Sequence, residues 1–380
     1  VRLLYLHNAP VPSTAANAVQ VAKMCAAFQN AGADVTLMSP MTGLRDTPFD
    51  TIASTYGLKT AFATRRSPRP NIPGRDMLFA LVGMLLHRLS GKFVLYTRSA
   101  AVGFAAIRIN LPVVLELHVA ASSFREKATL RLGNIFRSDK FVQLVVINDR
   151  LRVEYEADFP DLSGRILVAH DGADQPEPVQ PKDLGGGFKV GYVGHLYPGK
   201  GMELITEIAP QCPWVRFHVV GGTGDDVGHW KERTKNLPNL TLHGHMPHAE
   251  TPAYIAAMDV VIAPYLRDVR GTGGKTPNLA DGMSPLKIFE YMSHGKAIVA
   301  SDLPALREVL ADDVNALLRA PEDLEGWVAA LTALHADAEL RARLGDRARQ
   351  DFQAKYTWDQ RARLILDAIQ INMRQAGLAN

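Results

Sequence analysis

Cysteine is scarce in this 380-residue chain: Cys25 and Cys212 stand far apart, with no metal-ligand spacing. That excludes a disulfide framework and points to a reducing compartment, the cytoplasm. An excess of either charge is also missing. Lysine and arginine number 42 against 39 acidic side chains, a formal charge of +3. No global field draws the chain to nucleic acid, so any anion site must be local. The longest apolar run, Met77 to Leu86, is about half the ~20 residues a membrane-spanning helix needs. The first loop, Asn8 to Asn17, holds no glycine. This excludes the Gly-x-Gly-x-x-Gly turn that a nicotinamide dehydrogenase needs after its first strand.

The opening residues lack the charged, apolar and small-residue succession of a signal peptide, and Arg2 to Leu6 reads as a buried first strand. With 47% hydrophobic and 21% charged residues the sequence has the balance of a globular protein rather than of a disordered chain. Its length exceeds what one hydrophobic core usually supports, so two domains are expected.

Short β-rich runs alternate with longer helical patterns, which predicts an α/β fold with parallel sheets covered by helices. In the first half the predicted strands are Leu3–Leu6, Val35–Met38, Phe93–Tyr96, Val113–Leu117 and Leu144–Ile147, with a helix over Ala16–Ala31. Between Gln175 and Gly187, proline and glycine dominate and apolar periodicity is lost, as in a linker. The alternation restarts with Val190–Gly194, Val215–Val220, Leu240–Leu242, Val260–Ala263 and Ala297–Ala300. The expected domains are therefore 1–174 and 188–361, joined by 175–187. A final helical pattern, Trp358 to Met373, suggests that about 362–380 crosses back to the first. Open α/β sheets bind ligands beyond the carboxyl ends of their strands, which directs attention to the loops there.

Ser284-Pro285-Leu286-Lys287 is a helix-start signal: serine suits the cap and proline the first helical position. Backbone N–H groups and the positive end of the dipole then form an anion site. Lys287 places a cation in the first turn, where it opposes the dipole unless an anion is bound. Glu290 follows six residues after Ser284, ~9 Å along the axis, so phosphate at the helix start and ribose beside the carboxylate are spanned by one nucleotide diphosphate. An ordinary capped amphipathic helix is the alternative. A second signal is the strand-to-helix turn Gly194-His195-Leu196-Tyr197-Pro198-Gly199-Lys200-Gly201, whose glycines let backbone approach a phosphate and whose lysine neutralises charge. A plain turn with a solvated lysine accounts for it equally.

With their order and spacing, these stretches resemble the retaining glycosyltransferase family 4, whose members have the GT-B fold of two Rossmann-like domains facing each other across a cleft. The resemblance runs from about Val190 to Trp358. It rests on Gly194 to Gly201, Val219-Val220-Gly221-Gly222, Leu242-His243-Gly244-His245-Met246, Met258 to Pro264, Ser284 to Met292 and Lys296 to Ser301. In the N-terminal half, Glu116-Leu117-His118 and Ala169 to Asp174 are similar.

The resemblance implies transfer of a sugar, with retention, from a nucleotide-diphosphate donor to a hydroxyl of a carbohydrate or lipid-linked acceptor, as in polysaccharide biosynthesis. Catalytic roles then fall to His118, Lys200 and Glu290, with His118 facing the donor sugar; a hydrogen-bonded strand-end histidine is the alternative. Donor binding falls to Gly194, His195, Lys200, Gly222, His245, Met246, Ser284, Leu286, Lys287 and Glu290. Two departures stand out. The family pairs two glutamates eight apart, yet Gly282 occupies the first position, with Asp281 beside it; and His195 stands where many members carry arginine. The missing glutamate leaves open an impaired relative that binds a nucleotide sugar or a partner without turnover.

No Asp-x-Asp pair occurs, since Asp225 and Asp226 are adjacent, so neither metal nor other cofactor is expected beyond the nucleotide-sugar co-substrate. Arg270 to Thr276 lacks Walker spacing and reads as a lid or insertion. Ser13, Thr14 and Asn17 supply polar groups on the acceptor side, although a helix cap explains Ser13 or Thr14 equally. Arg65, Arg66, Arg69 and Arg75 precede the apolar Met77–Leu86 segment, and Arg125, Lys127, Arg131, Arg137 and Lys140 follow His118. They fit either peripheral contact with the inner membrane face through the N-terminal domain or a solvated basic surface.

Overall fold

The computed structural model describes residues 1–13, 16–40, 48–67, 75–89, 91–119, 129–131, 134–162, 164–270, 278, 280, 282–284 and 286–378. Thr14, Arg69, Arg125, Lys127, residues 271 to 276 of the stretch read as a lid or insertion, Asp281 and Pro285 lie outside the described residues. The chain forms two compact units, Val1–His170 with Trp358–Asn380, and Asp171–Thr357.

The first unit is built on a seven-stranded parallel sheet of β1 (Arg2–Leu6), β2 (Asp34–Pro40), β3 (Ala63–Ser67), β4 (Val94–Thr97), β5 (Val113–Leu117), β6 (Phe141–Val146) and β7 (Ile166–Val168). Their order is β3-β2-β1-β4-β5-β6-β7. The central strands β1, β4, β5 and β6 are buried at nearly every position, as parallel strands covered on both faces must be. Helices α1 (Ala16–Asn30), α2 (Phe49–Tyr56), α3 (Arg75–Arg88), α4 (Ala100–Arg108) and α5 (Asp149–Asp158) connect them. Ser99 and Asn148 start α4 and α5, accepting from the Val102 and Leu151 N–H groups. On α3, Phe79, Ala80, Met84 and His87 face inward, while Met77, Leu78, Val82, Leu85 and Leu86 are exposed. The helix is therefore apolar on both sides, an arrangement that a surface helix covered only from within does not need.

The second unit carries a six-stranded parallel sheet ordered β10-β9-β8-β11-β12-β13. Its strands are β8 (Phe188–Val193), β9 (Val215–Val220), β10 (Leu240–Gly244), β11 (Val260–Ala263), β12 (Ala297–Ser301) and β13 (Leu317–Arg319). Helices α6 (Met202–Ile208), α7 (Gly224–Thr234), α8 (Thr251–Ala257), α9 (Leu286–Ser293), α10 (Pro304–Arg307), α11 (Leu324–Ala336) and α12 (Ala338–Lys355) cover it. The Pro- and Gly-rich stretch from residue 175 to 187 runs with this unit, where the Lys182 N–H donates to Ala253 O. The last helix, α13 (Trp358–Gln375), belongs to the first unit and packs on α1 and β6.

Both sheets are doubly wound, with the strand order reversing between β1 and β4 and between β8 and β11. Ligand crevices of open α/β sheets form at such points. Against the predicted elements, the structure adds β3, β7 and β13. β3 reads Ala-Thr-Arg-Arg-Ser, too polar for the apolar-run criterion, and β7 and β13 are three-residue edge strands.

Candidate functional site

In the second unit the residues singled out from the sequence gather at the carboxyl ends of β8, β9 and β10 and at the helix that follows β11. β8 is followed by Gly194, whose φ of 150° and tight surroundings disfavour a side chain. A Cβ there would lie 2.8 Å from Lys287 Nζ. A Cβ on Gly221, the first residue after β9, would lie 2.0 Å from Gly194 O, and one on Gly222 would strike Leu196 Cδ1 at 2.6 Å. These glycines therefore allow the loops after β8 and β9 to touch backbone to backbone. Tyr197 O accepts from the Lys200 N–H at 3.0 Å, closing the turn that sets Lys200.

The helix α9 is tied to β8 by the Tyr291 hydroxyl, which accepts from the Val193 N–H at 2.8 Å. Leu286 is its first residue. The Ser284 hydroxyl, two residues earlier, accepts from the Asp171 N–H at 3.3 Å. Lys287 lies one turn before Tyr291 and projects its ammonium over two phenol rings, 3.7 Å from the Tyr192 centroid and 4.9 Å from that of Tyr265. Lys200 Nζ approaches the same Tyr265 ring at 5.3 Å. Two cations thus share one aromatic ring. Lys287 Nζ is out of solvent contact and has no hydrogen-bond partner among the described residues, although the residue as a whole is half-buried.

Burial, and then the nearby Lys200, depress the Lys287 ammonium well below the usual lysine range; Glu290 opposes this. Burial also lowers the Lys200 pKa. His195, stacked on Tyr197 at 4.9 Å, is lowered by burial and then by Lys200 and Lys287, which favours its neutral form. Glu290 is one-quarter exposed and lies 4.0 Å from His248 Nδ1. His245 is exposed beyond β10, and the Met246 sulfur accepts from the Tyr254 hydroxyl at 3.6 Å. The result is a polar margin holding two crowded cations and one accessible carboxylate, suited to an anion with a diol attached.

The second unit is similar to the group 1 glycosyltransferases. Residues 187–337 match the family model described as "Glycosyl transferases group 1". The phosphatidyl-myo-inositol mannosyltransferase of Mycolicibacterium smegmatis is 31% identical over 167 residues, 42% of this chain and 39% of that protein. The D-inositol 3-phosphate glycosyltransferase of Stackebrandtia nassauensis is 27% identical over 291 residues, 68% of this chain and 60% of that protein. The chain thus spans less than two thirds of the length of these curated relatives. Among solved structures, a glycosyltransferase from Rickettsia africae superposes with a TM-score of 0.75 at 12% identity, covering 98% of each chain. HepE of Anabaena, in complex with UDP, gives 0.72 at 17% identity, covering 98% of this chain and 100% of that one. At these identities the likeness establishes the GT-B fold.

The other described candidates, His118, Ser13 and Asn17, lie in the first unit. His118 follows β5 and contacts the buried carboxylate of Glu116. The Ser13 N–H donates to the Tyr56 hydroxyl at 2.6 Å, and that hydroxyl donates to Ser13 O at 2.8 Å, so Ser13 is fixed through its backbone. Asn17 is exposed on the first turn of α1. Several of the basic residues have partners that the sequence did not suggest. Arg66 binds Ser39 Oγ, Pro40 O and Val11 O; Arg137 pairs with Asp161 at 2.7 Å, and Lys140 with Asp139 at 3.1 Å. Sequence reasoning also missed Tyr192, Tyr265 and Tyr291, whose core-like strand and helix positions hide their contacts with the site.

Proposed function

We propose that this chain transfers a sugar, with retention and without a metal, from a nucleotide-diphosphate donor to a hydroxyl acceptor. The observation that carries the reading is the Lys287 ammonium, buried without a hydrogen-bond partner among the described residues, beside Lys200 and three residues before Glu290. Lys200 and Lys287 bind the diphosphate and stabilise the charge that grows on it as the sugar leaves, the task a metal performs elsewhere. Glu290 grips the ribose, and the loops after β9 and β10, with Gly222, His245 and Met246, take the base side. On the first unit, His118 is assigned to the reacting substrate and Ser13 and Asn17 to the acceptor side. The family match and the UDP named with one structural neighbour support a nucleotide-sugar donor.

The test is release of nucleotide diphosphate across a panel of UDP-, GDP-, ADP- and TDP-sugars. One donor class should turn over, and Glu290→Ala and Lys200→Ala should each lose most of that turnover. Near-normal kinetics in either variant would sink the site assignment.

The outer face of α3 supports a finer reading of the acceptor as lipid-linked. Leu85 and Leu86 are more than half exposed, Met77, Leu78 and Val82 extend the patch, and Arg75 and Arg88 mark the helix ends. Among the described residues no helix is long and apolar enough to cross a membrane. Contact would therefore be peripheral. Sedimentation with vesicles containing phosphatidylserine should be lost in Leu85→Glu/Leu86→Glu; equal binding by that variant would remove this reading.

A further inference from the structure

A second charged cluster lies wholly in the first unit. Glu116 and His118 are two residues apart at the end of β5, so they share a face of the extended chain. The Glu116 carboxylate is fully buried and accepts four donors. Gln20 Nε2 (2.7 Å), Arg361 Nη2 (2.9 Å) and the His118 Nε2 edge meet Oε1, and the Tyr96 hydroxyl meets Oε2. Arg361, buried on α13, also donates through Nε to His170 O (3.0 Å) and Ala169 O (3.3 Å). Arg98 donates to the Gln20 carbonyl at 3.0 Å, which turns the Gln20 amide toward Glu116.

Burial alone would push the Glu116 carboxyl up, but Arg361 and then His118 outweigh it and hold the group well below the usual range. An ionised carboxylate only accepts hydrogen bonds. The proton on the shared edge therefore sits on His118 Nε2, and Nδ1 is the ring nitrogen left to face a ligand. Among the described residues Nδ1 has no hydrogen-bond partner.

We propose that Glu116 and Arg361 are positioning residues that hold His118 as the Nε2–H tautomer, presenting Nδ1 as an acceptor to a hydroxyl of the sugar substrate. The inference rests on the assignment of His118 to the reacting substrate. It also gives α13, the last helix of the chain, a role in setting an imidazole more than two hundred residues earlier in sequence. An ion pair that served only to fill the core would not care which ring nitrogen carries the proton.

Long-range 1H–15N NMR of histidine-labelled protein reads the tautomer directly, with the His118 signal assigned by its loss in His118→Asn. Wild-type protein should show Nε2–H. Glu116→Gln/Arg361→Met removes both charges together and should yield a tautomer mixture. Its kcat should fall by about tenfold to a hundredfold, the range for outer residues that orient a working histidine, with the donor KM little changed. An Nδ1–H ring in the wild type, or an unchanged tautomer in the folded double variant, overturns the proposal. Where that variant does not fold, the wild-type tautomer alone decides. Undiminished transfer by His118→Ala would instead refute the assignment of His118 to the substrate, leaving the tautomer result standing.

Discussion

In the first unit the buried carboxylate of Glu116 is met by four donors, one of them the equally buried Arg361. In the second, the buried ammonium of Lys287 rests on two phenol rings with no hydrogen-bond partner among the described residues. The difference separates two uses of buried charge. A satisfied pair fixes geometry, and removing one partner strands the other in a low-dielectric interior. An unsatisfied cation is held at a cost to stability, which a bound anion would relieve.

The comparison is broken most directly by deleting one charge from each cluster. Arg361→Met should destabilise the fold by about 3–5 kcal/mol, since Glu116 loses its counter-charge. Lys287→Met should do the reverse and raise the unfolding midpoint, while weakening nucleotide diphosphate binding by about 1.5–3 kcal/mol, the worth of a charge-assisted hydrogen bond. Urea denaturation and titration calorimetry measure the two effects. Equal destabilisation by both variants would erase the distinction drawn here.

Proton linkage sharpens it further. Because the Lys287 and Lys200 pKa values are lowered in the free protein, a bound diphosphate should pull protons on to them. Calorimetry in buffers of different ionisation enthalpy should register net proton uptake, and affinity should fall as pH rises through the lowered pKa values. Linkage of zero in every buffer would argue against the lysines as the anion's partners.

Histidines in the two units provide a smaller, shared effect. Burial, then Arg98, lowers His7 from 6.5 to about 4; burial, then His243, lowers His218 from 6.5 to about 4. Below 6.5 the unfolded chain binds protons that the folded chain refuses. This contribution is complete above pH 6.5 and is lost progressively as pH falls toward 4. His7→Gln and His218→Gln should each flatten the acid side of a stability–pH profile. Smallest of all, Arg152→Ala at the exposed pair with Asp149 should leave the denaturation midpoint nearly unchanged in the same assay.

The central strands were legible because parallel strands buried on both faces are continuous apolar runs, and nine of the ten predicted segments lie within one or two residues of the observed bounds. Leu144–Ile147 names only the second half of β6, because Gln143 interrupts the apolar run of a strand that starts at Phe141. β3 escaped because an edge strand can remain polar. The glycines at 194, 221 and 222 were legible as turn formers, but the contact between the loops after β8 and β9 was not.

By itself the sequence determined the α/β class, the tandem doubly wound units and the helix start that carries Lys287 and Glu290. Local patterning carries that information: apolar runs, turn residues and caps act over a few positions. Only the tertiary structure decided that Lys287 lies over Tyr192 and Tyr265, and that Arg361 neutralises Glu116 across 245 residues. Burial and charge pairing depend on what the fold brings together from far apart in the chain, and no local pattern encodes that.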